Sequence, residues 1–279
     1  MIKIFVDSGS SIKQNEKEKY GVEIFPLKIN LGGKEYSDGI DLSLDTFYHA
    51  LIQGGLFPQT SLPNLDEAQA KVKECVAGGD QVLIICISSG ISGTFSTFKM
   101  LFESEPNVRV IDSKTAVGGI KILVNEANKY LSESLDFVEE KLSTLIPRIK
   151  VIAIPETLDY LHKGGRLSSA AWIAGSVAHV KPLISLNSIT GRVEVAGKAL
   201  GTKRAISALV AYLEKHGCDQ NHKIIPSYTY CEENLYRLIT ATDQQYLTNM
   251  DDFDNLDPAI ACHWGPNAYG YIFVSKEEN

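Results

Sequence analysis

Three short apolar runs in this chain end alike, in Phe5-Val6-Asp7-Ser8, Cys86-Ile87-Ser88-Ser89 and Val110-Ile111-Asp112-Ser113. A continuous apolar run of strand length, closed by small polar residues, reads as a strand buried on both faces. Such strands belong to parallel sheets covered by helices. Longer amphipathic segments separate the runs, so the alternation predicts an α/β fold whose polar strand ends gather along one edge of the sheet. In open α/β sheets that carboxyl edge is where ligands bind. A single Asp or Ser there has a plainer use, capping the next helix; three together favour a site.

The runs 2–6, 81–87, 108–111 and 150–154 are expected to share that sheet. Between the first two, residues 22–31, Gly32-Gly33 and 34–36 have the form of a β-hairpin turning on glycine, a small antiparallel insertion at about 20–40. The character changes after Pro155, which places a domain boundary near residue 160: an N-terminal α/β domain, 1–160, and a C-terminal α+β domain, 161–279. In the second half the pattern predicts a short helix at 158–165, a small-residue stretch at 167–180 and a hairpin at 183–196 turning on Thr190-Gly191. A helix at 202–215, a strand at 223–230, a helix at 232–238 and a last strand at 269–274 complete it.

Composition narrows the function classes. The chain has 279 residues, 44% of them hydrophobic, enough for a substantial core. A formal charge of −7 argues against general nucleic-acid binding, which needs clustered Lys and Arg against the phosphate backbone. The opening run is too short for a signal-peptide core, and the apolar stretch 170–186 is broken by His179, Lys181 and Pro182. Five scattered cysteines show no metal-ligand spacing and fit a reducing, cytoplasmic setting. No metal or cofactor is expected.

The loop Ser88-Ser89-Gly90-Ile91-Ser92-Gly93-Thr94 is the richest in chemistry: hydroxyls and two glycines ahead of a helix outline an anion site. It lacks the Gly-Lys-Ser/Thr of a Walker loop, the GxGxxG of dinucleotide folds and the GxSxG nucleophile elbow. Thr60-Ser61-Leu62-Pro63 is a second hydroxyl pair before a helix starting near Leu65. His263-Trp264-Gly265-Pro266 is read as a turn before the last strand, where an imidazole could bind a carboxylate or move a proton. Leu161-His162-Lys163-Gly164-Gly165-Arg166 brings an arginine after two glycines, able to pair with acids or to brace a junction.

Taken in order, Thr60-Ser61-Leu62-Pro63, the loop from Ser88, Ile111-Asp112-Ser113-Lys114, Leu161 to Ser168, Lys181-Pro182-Leu183 and His263 to Gly270 resemble the DegV family over nearly the whole chain. The resemblance implies a fatty-acid carrier with its ligand between the two domains. It holds one long-chain fatty acid and presents the carboxyl to a separate ATP-dependent fatty acid kinase, whose acyl phosphate feeds phospholipid synthesis. It implies that Thr60, with Ser61 beside it, and Ser92 meet the carboxylate, that Gly93 contributes an N–H, and that His263 completes the head-group network. Arg166 falls to the domain junction or the kinase-facing surface. A monomer with transient exchange at membrane surfaces is expected, without catalytic residues of its own.

Two positions depart from the family pattern. Leu62 stands where the family usually has Gln, and Lys198-Ala199-Leu200-Gly201 replaces Lys-Val-Arg-Thr, leaving Lys203 or Arg204 as substitute cations. Walls for an acyl tail are available in Phe95, Phe98, Leu101, Ile120, Leu123, Trp172, Ile173 and Val177, all equally usable as core. Two other chemistries compete: a serine hydrolase or acyltransferase with Ser88, Ser89 or Ser92 as nucleophile and His263 as base, and a phosphohistidine relay through His263.

Overall fold

A computed structural model describes residues 1–175 and 180–276. Val177, one of the expected tail walls, lies outside the described residues, as does part of the small-residue stretch. Four strands, β1 (Ile2–Asp7), β2 (Val22–Phe25), β6 (Gln81–Cys86) and β7 (Val108–Asp112), form a parallel sheet in the order β2-β1-β6-β7. The helices Leu65–Ala77 and Thr94–Leu101 cover one face and Gly118–Ala127 and Leu135–Leu145 the other. The continuous apolar runs therefore do what their pattern predicts, most fully in the central β6, where Val82 to Cys86 are all buried.

The expected insertion is smaller than its sequence suggested. Val22–Phe25 joins the parallel sheet beside β1. The hairpin is β3 (Lys28–Leu31) with β4 (Lys34–Ser37), and β5 (Gln59–Ser61) pairs along the free side of β3, opposing Thr60 to Ile29. Pro26 explains the break, because it has no N–H to give to a ladder.

The second sheet has six strands in the order β10-β9-β8-β13-β11-β12. They are β8 (Ile149–Ile154), β9 (Val180–Leu186), β10 (Val193–Leu200), β11 (Ile225–Tyr228), β12 (Asp254–Asn255) and β13 (Tyr269–Val274). The run at 150–154 belongs here, antiparallel to β13 and β9, rather than to the parallel sheet, so this sheet begins at Ile149. A central antiparallel strand covered on both sides is as uniformly apolar as a parallel one, which is why its pattern misled. The face carrying Ile152, Tyr271 and Phe273 packs on the helix Gly201–His216, while Val151, Leu186, Ile225 and Ile272 point toward the first sheet. The site lies between these two layers. Among the described residues no helix is long and apolar enough to cross a membrane.

Candidate functional site

Between the sheets lies a cavity of about 340 Å³, within the roughly 300–1,000 Å³ usual for small-molecule sites. Its body is apolar, walled by Ile87 and Val117 from the first layer, Val151, Leu186 and Ile272 from the second, and Ile260. Its polar groups include Thr60, Ser61, Ser92, Arg166 and His263, so the structure brings the sequence-derived candidates together in one wall.

His263 is not in a turn. It sits near the end of the helix Pro258–Trp264, closed by Gly265 at φ 72°, and Ala259, Ile260, His263 and Trp264 reach the cavity at helical spacing. The Gly-Pro pair that suggested a turn follows the helix instead of replacing it. The helix start is held from a distant part of the chain: Ala259 donates its N–H to Asp38 Oδ1 at 3.0 Å, just beyond β4. Burial and the neighbouring Asp257 carboxylate raise the Asp38 pKa to about 7. The helix is anchored again where Lys13 Nζ meets Asp257 Oδ1 at 2.5 Å.

At the other end of the helix, His263 Nε2 and Thr60 Oγ1 share a hydrogen bond of 2.9 Å, joining the three-stranded sheet to the helix Pro258–Trp264. The ring lies so close to Gly164 that a Cβ there would come within 2.3 Å of Nδ1. Nδ1 has no partner among the described residues. Burial, helped by the Arg166 charge, lowers the His263 pKa to about 3. The imidazole is therefore neutral near pH 7, and Thr60 is free to aim its hydroxyl proton into the cavity when Nε2 is the protonated nitrogen.

The hydroxyl-rich loop divides into two halves with different tasks. Ser88 is fully buried and donates Oγ–H to Gly191 O at 2.9 Å, while Gly90 approaches the same turn so closely that a Cβ would lie 2.4 Å from the Gly191 carbonyl carbon. Ser89 donates its N–H to Asp112 Oδ1 at 3.0 Å and accepts from Lys114 Nζ. Asp7 similarly accepts from Gly9 and Ile87 N–H, with burial raising its pKa to about 7. These strand-end polar groups knit loops together. Only the second half, Ile91, Ser92 and Gly93, faces the cavity. Ser92 Oγ lies 2.9 Å from Thr94 Oγ1, and Gly93 begins the helix Thr94–Leu101.

Arg166 is the charged member of the wall. It is half-buried, its Nε donates to Ile91 O at 2.9 Å and its Nη1 to Gly164 O, so it spans from its own glycine pair to the loop before Ser92. Among the described residues no carboxylate pairs with it. Lys203 and Arg204 are exposed on the helix Gly201–His216 and do not line the cavity, and neither does Leu200. Leu62 does line it, with its Cδ2 3.8 Å from a Cβ built on Gly93.

The model of the DegV family, described as uncharacterised protein, matches residues 1–276. The chain belongs to the DegV family. A DegV domain-containing protein of Caldanaerobacter subterraneus subsp. tengcongensis is 31% identical over 281 residues, covering 99% of each chain. Among solved structures, a DegV family protein from Thermus thermophilus, described by its fatty acid binding, superposes with a TM-score of 0.85 at 28% identity over 99% of both chains. The fatty acid binding DegV family protein from Streptococcus agalactiae shares the fold at a TM-score of 0.89 and 24% identity, again over 99% of each chain.

In this DegV protein the described tail-wall candidates line other parts of the molecule. Phe95, Phe98 and Leu101 pack on the far face of the parallel sheet, Ile120 and Leu123 fill the helix-covered core, Trp172 packs beside Leu161, and Ile173 is exposed. The walls of the cavity instead include Val117, held at φ 48° and ψ −129°, a conformation that costs a β-branched residue on the order of 1–3 kcal/mol. Gly270, set between two tyrosines in a strand, records a close approach of backbone and not the cavity itself: a Cβ there would lie 2.1 Å from Ile152 O on the neighbouring strand. The hydrolase geometry is not assembled, since Ser92 Oγ bonds to Thr94 and His263 to Thr60.

Proposed function

We propose that this protein binds one long-chain fatty acid, its tail in the apolar cavity and its carboxylate against Arg166, Thr60, Ser92 and the Gly93 N–H. The observation that carries this is a half-buried guanidinium with no carboxylate partner among the described residues, set among hydroxyls in the wall of an otherwise apolar cavity. A buried charge calls for a counter-charge, and an acid with a long apolar tail answers both parts of the cavity. Each buried methylene adds about 0.8 kcal/mol before ordering costs, so the tail supplies most of the affinity and the polar wall fixes the head.

The same reading makes the protein a carrier that presents the carboxylate to a separate ATP-dependent kinase. The carboxylate would attack the γ-phosphate and the kinase would supply nucleotide, metal and phosphoryl-transfer groups. The acyl phosphate would then serve phospholipid synthesis. His263 with a pKa lowered to about 3 suits a fixed hydrogen-bonding partner better than a general base.

Solvent extraction of the purified protein followed by mass spectrometry is expected to yield about one fatty acid per chain. Finding no lipid, and no binding of added fatty acids of any length, would end the binding proposal. Incubation with a fatty acid kinase, ATP and the bound acid is expected to give acyl phosphate. Binding without product, for every chain length and cognate kinase tried, would remove the carrier role and leave the binding role standing.

A further inference from the structure

One polar atom in the cavity wall belongs to none of the groups described above. Ser227 on β11 is 4% exposed, and its Oγ has no hydrogen-bond partner among the described residues. Strand alternation sets its direction: Ile225, two residues earlier, packs against Gly118 and the core under the first sheet, so Ser227 points the same way, into the space between the layers. Pro226 and Tyr228 take the opposite face. The register places Ser227 between Asp254 on β12, which is tied to Lys121, and Gly270 on β13, and it places Gly270 beside Ala153 on β8. The cavity face of the sheet thus carries a row of three small residues, flanked by the bulky row Ile225, Ile272 and Val151. Beside that bulky row these short side chains leave a recess in the cavity wall, and of the three that line it Ser227 alone carries a hydrogen-bonding side chain.

A plain hydrocarbon chain laid over this recess strips water from the hydroxyl and returns nothing. A chain carrying an oxygen at that depth restores the lost bond. We propose that Ser227 is a specificity-determining residue which favours an acyl chain bearing a hydroxyl or oxo group on the carbon that lies against the recess. The inference rests on the fatty-acid reading and deepens it by naming the ligand class: mid-chain oxygenated fatty acids, bound in preference to what their extra polarity alone would allow.

The test compares stearate with positional isomers of monohydroxystearate on the full-length wild-type protein and on Ser227→Ala, after lipid removal, by calorimetry or fluorescence displacement. Taking each ligand's ratio of Kd between variant and wild type cancels the ligand's own cost of leaving water. One net hydrogen bond corresponds to roughly 2- to 12-fold in Kd. The expected result is that Ser227→Ala weakens one isomer, or two adjacent ones, by that factor, while stearate and the remaining isomers bind equally well or more tightly. An equal ratio for every ligand overturns the inference while stearate binding to the wild type keeps the fatty-acid reading. Failure of stearate and every isomer to bind the wild type overturns both.

Discussion

Arg166→Met separates the contribution of charge from that of packing at the head of the cavity. The methionine keeps an apolar stem of similar reach but gives up the hydrogen bond to Ile91 O, the one to Gly164 O and the guanidinium charge. A hydrogen bond to a charged group contributes about 1.5–3 kcal/mol, so a fatty acid whose carboxylate meets Arg166 should bind about 10- to 150-fold more weakly to the variant. The matching fatty alcohol has the same tail and no charge, and its affinity should change by less than about threefold. The assay is calorimetric titration of lipid-free wild type and variant with acid and alcohol of equal chain length, with circular dichroism confirming that both are folded. Salt should narrow the difference only modestly, because the charge is half-buried. If acid and alcohol lose affinity equally, Arg166 acts only by holding the loop before Ser92, and the pairing of carboxylate with guanidinium is wrong.

Three further outcomes follow from the geometry. Thr60→Val removes the partner of His263 Nε2 and leaves both ring nitrogens without one among the described residues. Denaturant unfolding should show a loss of about 1–3 kcal/mol, and an unchanged midpoint would mean that the pair contributes nothing. Gly90→Ala drives a methyl group into the Gly191 backbone; overpacking of this kind costs about 1–3 kcal/mol, read as a lower melting temperature, and a neutral result would show that the contact yields easily. His263 has a folded pKa of about 3 against an ordinary value of 6.5. In that window the unfolded chain binds the extra proton, so this group's contribution to stability is lost as pH falls from about 6.5 toward 3. His263→Gln should flatten the acid limb of the stability profile, and parallel profiles for the two proteins would refute the assignment.

The parallel sheet was readable because a strand buried on both faces leaves an unbroken apolar run, as in Val82 to Cys86. The same signal cannot tell the sheet that receives it, and Ile149–Ile154 went to the wrong one for that reason. Thr60, Ser92 and His263 were legible as hydroxyls and an imidazole in loops or at element ends, although the helix carrying His263 was not. Its start is fixed by Asp38, more than two hundred residues earlier, and no local pattern records that bond. Arg166 was legible as a residue and ambiguous as a role, because junction and ligand wall coincide there. The tail walls were the least legible of all. Val151 and Ile272 have the chemistry of any core residue, and no local pattern separates those that line a space from those that fill the interior.

The contact between Gly90 and Gly191 bears on how easily the two layers can part. Backbone meets backbone there, with the Ser88 hydroxyl fastened to the Gly191 carbonyl. The loop that carries Ser92 is thus tied at its root to a turn of the other sheet. Side chains can swing aside one at a time in nanoseconds, whereas two backbone segments in such contact must part together. For the carrier proposed above, release of a chain past this loop would therefore be a collective event with a long dwell time, its pace set by how often the layers separate.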